Sequence, residues 1–237
     1  MNKVKFSVVI PAFNEESFLS DCIKSVKKQF GNFNIEIIVV DNNSTDDTYN
    51  IAKSYGIQVL KENVKGVGKA RKTGTKNAIG EFIVHLDADS RLPENYFLEV
   101  LKRFDKNKKL VCLSGQMYFY DGNWWQNLFR PFFHYWFLFF AVMFSFGKLG
   151  PMGNNMVFRK EIYDKTTGFD ERLKFGEDMN LVKKFSKFGC VKLDMSLKNY
   201  VSARRFKLDK DLLIYIVNFY RMLFCGSPHK NKLPEMK

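Results

Sequence analysis

The hydrophobic positions in the first half of the chain switch repeatedly between the patterns of strands and helices. An apolar run over residues 6–10 predicts a buried strand, and apolar residues from 18 to 26 then recur at helical spacing. The alternation continues, and it predicts strands over 35–40, 57–60 and 82–86 and helices after 44, over 69–78 and from Pro93. This order predicts an α/β fold, with a mostly parallel sheet flanked by helices.

Polar residues follow three of the predicted strands at their carboxyl ends. Glu15 lies in the segment after the first strand, Asp41 directly follows the second, and Asp87 and Asp89 follow the fourth. Ligands of open parallel sheets bind at this edge. We therefore expect the three segments to converge on one site.

The segment Asp87-Ala88-Asp89 offers hard oxygen ligands to a divalent cation. Strand periodicity predicts that its two carboxylates lie on one side, with Ala88 opposite. Mg²⁺ or Mn²⁺ would use one or two of these carboxylates and complete its shell with water and substrate phosphates. Such a segment alone is more often a solvated turn, and it is the place at the ligand edge that favours a metal site.

Two further polar segments are interpreted as parts of the site, each with a structural alternative. Arg71 lies in a basic, glycine-punctuated stretch, where it contacts a phosphate or a sugar, or else belongs to a solvated helix face. Glu177 and Asp178 precede an apolar stripe at helical spacing and should therefore lie at a helix N-terminus. The helix dipole lowers carboxyl pKa values there, which suits a general base, although acids also occur in first turns for structural reasons.

Six motifs resemble, in their order along residues 5–206, the family 2 glycosyltransferases of the GT-A fold: VVIPAFNEE, VVDNNSTDDT, GKARKTG, HLDADS, GNNMVFR and GFDERLKFGEDMNL. The resemblance implies an inverting, metal-dependent transfer of sugar from a UDP- or GDP-sugar donor, with Mg²⁺ or Mn²⁺ as cofactor. It implies that Asp89 binds the metal and that Asp178 is the catalytic base. The residues expected to line the substrates are Pro11, Phe13, Glu15, Asp41, Arg71, Asp87, Ala88, Asn154, Glu177 and Arg204.

The predicted domain organisation is one catalytic domain over residues 1–206, followed by a basic, aromatic helical tail over 207–237. Within the domain we expect a nucleotide-binding half, 1–115, and an acceptor half, 116–206, which carries an aromatic-rich insert at 129–149. Processive synthases of the family carry a QxxRW motif. Here Ser202-Ala203-Arg204-Arg205-Phe206 stands instead, which argues against a polymerising synthase and supplies paired arginines for a phosphate group.

Charge and aromatic content indicate a membrane surface as partner. The formal net charge is +13, the chain has 25 Phe, and no nucleic-acid-reading motif is present. The uncharged stretch 131–147 is nearly long enough to span a bilayer, but a single crossing would separate Asp89 from Asp178. An interfacial or groove-lining helix, accompanied by 212–224, is therefore predicted, with a buried core helix or a dimer interface as the alternative.

The acceptor would then be a glycan or a lipid-linked molecule. Four widely separated cysteines and the lack of a recognisable secretory signal predict free thiols and a place at the cytoplasmic face of the membrane.

Two other functions remain open. A sugar nucleotidyltransferase can use a similar fold and metal, although Glu15 and Glu16 would repel a triphosphate. A non-catalytic membrane-surface binding module would have no need of Asp87, Asp89 and Asp178 together.

Overall fold

The structure is a computed structural model that describes residues 4–29, 33–131, 136, 153–173, 175–206 and 210–225. Its strands are β1 (Phe6–Ala12), β2 (Ile35–Asp41), β3 (Gln58–Lys61), β4 (Phe82–Leu86), β5 (Ser90–Arg91), β6 (Leu110–Phe119), β7 (Asn155–Arg159) and β8 (Cys190–Val201). Its helices are α1 (Leu19–Lys27), α2 (Thr48–Ser54), α3 (Val67–Asn77), α4 (Tyr96–Lys106), α5 (residues 124–131), α6 (Lys160–Asp164), α7 (Glu177–Phe185) and α8 (Lys210–Cys225). A 3₁₀ turn covers Ala203–Arg205.

The strands of the described residues form one sheet in the order β3-β2-β1-β4-β7-β6-β8-β5. Strands β1 to β4 are parallel, as predicted. Strand β7 then runs antiparallel to both β4 and β6, whereas β8 lies parallel to β6. The α/β fold is confirmed. The short strand β5 also runs antiparallel, to β8, and neither β5 nor β7 was predicted from the sequence.

Helices cover both faces of the sheet because successive residues of each central strand point to opposite sides. On β1, Val8 packs in one core cluster with Phe97 of α4. Its neighbour Val9 packs in a second cluster with Ala70 of α3 and Phe185 of α7. The two hydrophobic clusters hold the helices that carry the candidate site residues Arg71, Glu177 and Asp178.

Helix α3 lies close to the sheet at Gly74, and the lack of a side chain there makes this possible. A Cβ atom on Gly74 would stand 2.3 Å from Cγ1 of Val9 and 3.0 Å from Cγ2 of Val40. Gly74 therefore serves helix–sheet packing, whereas Gly66 is the N-cap of α3 with a φ of 144°. The sequence interpretation of this stretch as a phosphate-approaching loop did not anticipate that packing role.

Two predicted helices begin a few residues later than expected, for local reasons. The helix expected from Pro93 begins at Tyr96, because Asn95 adopts a left-handed conformation with a φ of 59°. The helix expected after residue 44 begins at Thr48, since residues 42–47 form a loop in contact with the segment after β1.

The predicted tail helix is present as α8, and it packs through Phe219 and Met222 onto Phe175. Residues 132–135 and 137–149 of the predicted aromatic insert lie outside the described residues. Among the helices of the described segments, none has the length and apolar character that a bilayer crossing requires. The four cysteines have free thiols, as predicted.

Candidate active site

The acidic residues predicted to converge do lie along one edge of the sheet. Ala12 of β1 is paired with Asp41 of β2, and β4 lies on the other side of β1. Adjacent strands are about 4.8 Å apart, so the segments after β2, β1 and β4 are immediate neighbours. Asp41, Glu15 and Asp87 therefore border one edge of the sheet in that order.

One cluster at this edge joins Glu15 and Asp89 to two arginines from the turn after β8. The guanidinium group of Arg204 binds both carboxylate oxygens of Glu15 and donates from Nε to Oδ2 of Asp89 at 3.1 Å. Arg205 donates to Glu15 at 2.8 Å, and its Nε lies 3.6 Å from Oδ2 of Asp89. The sequence indicated an arginine pair here, but Arg205 was missing from the residues expected to contact the substrate.

Both acids of this cluster are largely shielded from water. Glu15 is 4% exposed and Asp89 is 5% exposed. Burial raises the pKa of each carboxyl above its usual value, and the neighbouring guanidinium groups offset part of that effect. A cationic ligand beside either carboxylate would therefore stabilise its ionised form further.

A second cluster is built around Arg71, which is 5% exposed. Its Nη1 donates to Glu177 at 2.7 Å, and its Nη2 donates to Asp87 at 2.9 Å. The alternative of a solvated helix face was therefore wrong. Arg71 ties the end of β4 to the start of α7, which are distant in sequence.

Asp178 is the second residue of α7 and lies beside this cluster, in a partly exposed position. Its Oδ2 accepts the backbone N–H of Gly153 at 2.7 Å, and its Oδ1 accepts that of Met179 at 2.7 Å. A Cβ atom on Gly153 would lie 2.5 Å from Nη1 of Arg71, so a larger residue would displace that arginine. The carboxylate is thus fixed in orientation and still reachable by a substrate.

Glu177 differs from the sequence prediction in its electrostatics. A lowered pKa was expected from the helix dipole, but burial and the charge of Asp178 raise the pKa of Glu177 to about 7, against a lowering by Arg71. Desolvation dominates because the side chain is only 5% exposed. Glu177 is consequently the partner of Arg71, and the partly exposed acid at the helix start is Asp178.

We expect Glu177→Gln to remove part of the pH dependence of stability. With a pKa of about 7 in the folded protein against a usual value of 4.5, the folded state binds the proton more tightly. The free energy of unfolding should therefore fall by up to about 1.4 kcal/mol per pH unit as pH rises through this interval. Urea unfolding at about pH 5 and pH 7 measures the difference, with exposed Glu171→Gln as control. An equal loss of stability in wild type and Glu177→Gln would contradict the assignment.

The segment Asp87 to Asp89 does not continue the strand, contrary to the prediction from periodicity. Strand β4 ends at Leu86, and the chain turns before β5 begins at Ser90. The two carboxylates therefore enter different clusters instead of sharing one side. Ala88 is 2% exposed within the core, so a substrate could meet only its main chain.

The loop beside Asp41 is organised by Asn42, a residue that the sequence interpretation did not single out. Its amide nitrogen donates to the carbonyls of Glu62 and Val64 at 2.9 Å each, and its oxygen accepts the N–H of Gly66 at 2.7 Å. These bonds fix the segment 62–66 beside the end of β2. Asp41 itself is 4% exposed and accepts the N–H of Ser44 at 3.3 Å.

The remaining predicted residues also lie near this edge. Phe13 is 37% exposed, and Nζ of Lys65 stands 4.8 Å above its ring. Pro11 lies in β1 beyond Val9, the last residue of that strand paired with β4, where its missing N–H costs no ladder bond on that side. Asn154 places its carbonyl 3.4 Å from the N–H of Asp87.

Comparison with known proteins shows similarity to one family of enzymes. The family model described as "Glycosyl transferase family 2" matches residues 7–167. The minor teichoic acid biosynthesis protein GgaB of Bacillus subtilis is 30% identical over 208 residues, which cover 79% of this chain and 22% of GgaB. The poly(ribitol-phosphate) beta-N-acetylglucosaminyltransferase TarS of Staphylococcus aureus is 32% identical over 117 residues, covering 46% of this chain and 20% of TarS. The chain thus spans about a fifth of the length of these relatives.

Solved structures show the same fold. The structure of S. aureus TarS 1–349 with UDP-GlcNAc matches with a TM-score of 0.67 and 19% identity, covering 96% of this chain and 68% of that one. The mannosyltransferase PcManGT from Pyrobaculum calidifontis, in complex with GDP-Man and Mn²⁺, matches with a TM-score of 0.74 and 16% identity, covering 99% and 67%. The α/β fold of the chain is therefore of the GT-A type.

Proposed function

We propose, from the premise that this chain belongs to glycosyl transferase family 2, that it transfers a sugar from a nucleotide-diphosphate sugar to a glycan or lipid-linked acceptor. The observation that carries the proposal is the convergence of two charged clusters on one sheet edge: Glu15 and Asp89 with the two arginines, and Arg71 with Asp87 and Glu177. Asp178 is partly exposed beside one of them, and paired arginines close the other. This arrangement combines a proton acceptor with cations for a diphosphate.

In the proposed reaction Asp178 accepts the proton of an acceptor hydroxyl. The resulting oxygen nucleophile attacks the anomeric carbon from the side opposite the diphosphate, which inverts the configuration. The bond from the anomeric carbon to the phosphate oxygen breaks, and its electron pair leaves with the nucleoside diphosphate. Arg204 and Arg205 are suited to bind this leaving group, because guanidinium groups match phosphate oxygens bidentately.

The residues present fit a divalent cation at Asp89. Both arginines contact Oδ2 of that carboxylate, whereas Oδ1 accepts no hydrogen bond from the described residues. In the described part of the chain no three acidic, histidine or cysteine side chains are grouped to hold a metal alone, so substrate phosphates would complete the shell. The chemistry that Mg²⁺ or Mn²⁺ supplies when bound is stabilisation of charge on the departing diphosphate.

The nucleotide pocket in this proposal includes Asp41, Phe13 and Pro11, with the segment 62–66 as its wall. The support is the fixed position of that segment through Asn42 and the half-exposed ring of Phe13. The catalytic domain would extend over 1–206, with its nucleotide half at 1–115.

Thermal stabilisation of the purified protein tests the donor site. UDP, GDP and their sugar conjugates are compared with and without Mn²⁺, in wild type, Asp89→Asn and the exposed control Asp47→Asn. Ligand at ~100 times its Kd should add roughly 2.7 kcal/mol of stability. Stabilisation by one nucleotide that requires metal and is lost only in Asp89→Asn supports the proposal. No stabilisation by any of them would overturn it.

We further propose that the protein binds the cytoplasmic, anionic face of a membrane through exposed apolar side chains of α5 and α8. The support is the exposure of Trp124 at 77%, Leu128 at 63%, Leu213 at 63% and Phe224 at 57%, together with the net charge of +13. Wild type should sediment with vesicles that contain phosphatidylglycerol and remain free of pure phosphatidylcholine vesicles.

The double variant Leu213→Ser/Val217→Ser should lose most of this binding, because both side chains lie in α8 and Val217 is also exposed, at 40%. Ile79→Ser, which changes a side chain of 66% exposure before β4, is the control and should bind as wild type does. If neither wild type nor Ile79→Ser sediments with anionic vesicles, the membrane proposal is contradicted. This result would not bear on the donor site.

A further inference from the structure

The start of α7, which presents Asp178, rests on a special backbone conformation. Its N-cap is Gly176, with a φ of 72° in the left-handed region that favours glycine. Phe175 precedes it and is 7% exposed. The direction in which the helix leaves this turn determines where the Asp178 carboxylate points.

Helix α8 packs directly on that turn. Phe219 and Met222 are 6% and 7% exposed and form a small hydrophobic cluster with Phe175. Leu173 and Met179, which flank the turn on both sides, pack against the same cluster. The chain before and after Gly176 is therefore held from one side by α8.

The contact at Gly176 itself is close. A Cβ atom there would lie 2.7 Å from Cε and 2.9 Å from Cγ of Met222. The side chain of Met222 thus covers the backbone one residue before Glu177 and two before Asp178. On the other side, the N–H of Gly153 holds the Asp178 carboxylate at 2.7 Å.

We propose that Met222 and Phe219 are positioning residues for Asp178, so that α8, which lies beyond the family-matched segment, sets the geometry of the base. This inference rests on the proposed function. Loss of the Met222 side chain would let the turn at Gly176 move toward the space it leaves, and the Asp178 carboxylate would move with it. Misplacement of a catalytic group by about 1 Å can cost on the order of 10²-fold in rate. The donor cluster of Glu15, Asp89, Arg204 and Arg205 makes no described contact with Met222 and should keep its nucleotide affinity.

The test is the release of nucleoside diphosphate from the nucleotide sugar that stabilises the wild type best, with water as acceptor. Met222→Ala should lower kcat at least about tenfold. Its thermal stabilisation by the nucleoside diphosphate should equal that of wild type, and Met222→Leu should restore most of the rate. Val100→Ala, a buried truncation in α4, is the control for lost packing and should retain kcat within about twofold.

The outcomes separate the inference from the function. If Met222→Ala retains the wild-type kcat, the positioning role is wrong. If it loses nucleotide binding and kcat together, or if Val100→Ala loses as much kcat, the effect is general loss of structure and the inference also fails. If the wild type releases no nucleoside diphosphate to water, the proposed function is decided by the nucleotide stabilisation test alone. The packing of α8 on the turn is then tested by the Tm values of wild type, Met222→Ala and Met222→Leu. A lower Tm in Met222→Ala, with a Tm near that of wild type in Met222→Leu, supports the packing. Equal Tm values in all three proteins overturn it.

Discussion

Replacement of Asp178 by asparagine should lower the release of nucleoside diphosphate from the donor by about 10²- to 10⁴-fold. The carboxylate is held by the N–H groups of Gly153 and Met179, so it needs no rearrangement before it accepts a proton. An asparagine oxygen can keep one of these bonds, but the amide cannot accept the proton at catalytic pH. Steady-state rates at saturating donor measure the effect.

Nucleotide binding shows whether Asp178→Asn has lost only its catalytic base or its folded structure as well. Asp178→Asn should be stabilised by the nucleoside diphosphate as strongly as wild type, because the donor cluster is formed by other residues. Asp170→Asn, which removes a carboxylate paired with the exposed Arg172, is the matched control and should leave the rate within about twofold. An unchanged rate in Asp178→Asn would show that the base has been assigned to the wrong residue.

Arg71→Met should destabilise the fold by about 3–5 kcal/mol. The variant keeps much of the side-chain volume but leaves Asp87 and Glu177 without their shared cation. Removing one partner of a buried pair leaves uncompensated charge in a poorly solvated place. The resulting loss of stability is larger than the net contribution of the intact pair to the free energy of unfolding. Urea unfolding, followed by circular dichroism, gives the free energy of unfolding.

The neighbouring Lys72 provides the comparison. It pairs with Glu171 at 2.5 Å, but the Glu171 side chain is 50% exposed. Lys72→Met should therefore cost less than about 1 kcal/mol. If the two variants were equally stable, the Arg71 cluster would not be the buried network described above.

The strands of the first half were predictable because they are nearly continuous apolar runs, as buried parallel strands are. Val8, Val9 and Ile10 of β1 are all fully buried, so the pattern directly reflects their surroundings. Strand β8 was missed although it alternates, with Leu197 and Asn199 buried and Lys198 exposed between them. The lysines on its solvent-facing side interrupt the apolar run, so the segment was not recognised as a strand.

The convergence of the candidate residues on one sheet edge followed from the sequence, but their pairings did not. The convergence of Asp41, Glu15 and Asp87 required only the rule that parallel strands end at one edge. Arg71 has partners 16 and 106 residues away, and a periodic pattern does not show such tertiary contacts. One signal was available: Arg71 lies at spacings of three and four residues from Gly68 and Thr75, on the buried side of α3.

The pKa of Glu177 was misjudged because a helix N-terminus was considered without its burial. The dipole acts on every acid in a first turn, whereas desolvation depends on what packs above it. Gly68 of α3 covers Glu177, since a Cβ there would lie 3.0 Å from the Cγ of the glutamate. That neighbour comes from a helix more than a hundred residues earlier.

The donor cluster also has a consequence for biosynthesis. Glu15 and Arg205 are separated by 190 residues. A ribosome that adds about 5–20 residues per second needs roughly 10 to 40 s to make that interval. During this time β1 to β4 can already pair, while Glu15 and Asp89 have no arginine partners. A nascent or truncated chain that ends before Arg204 would thus contain β1 to β4 without the arginine partners of Glu15 and Asp89, and this cluster could form only after the turn beyond β8 has been made.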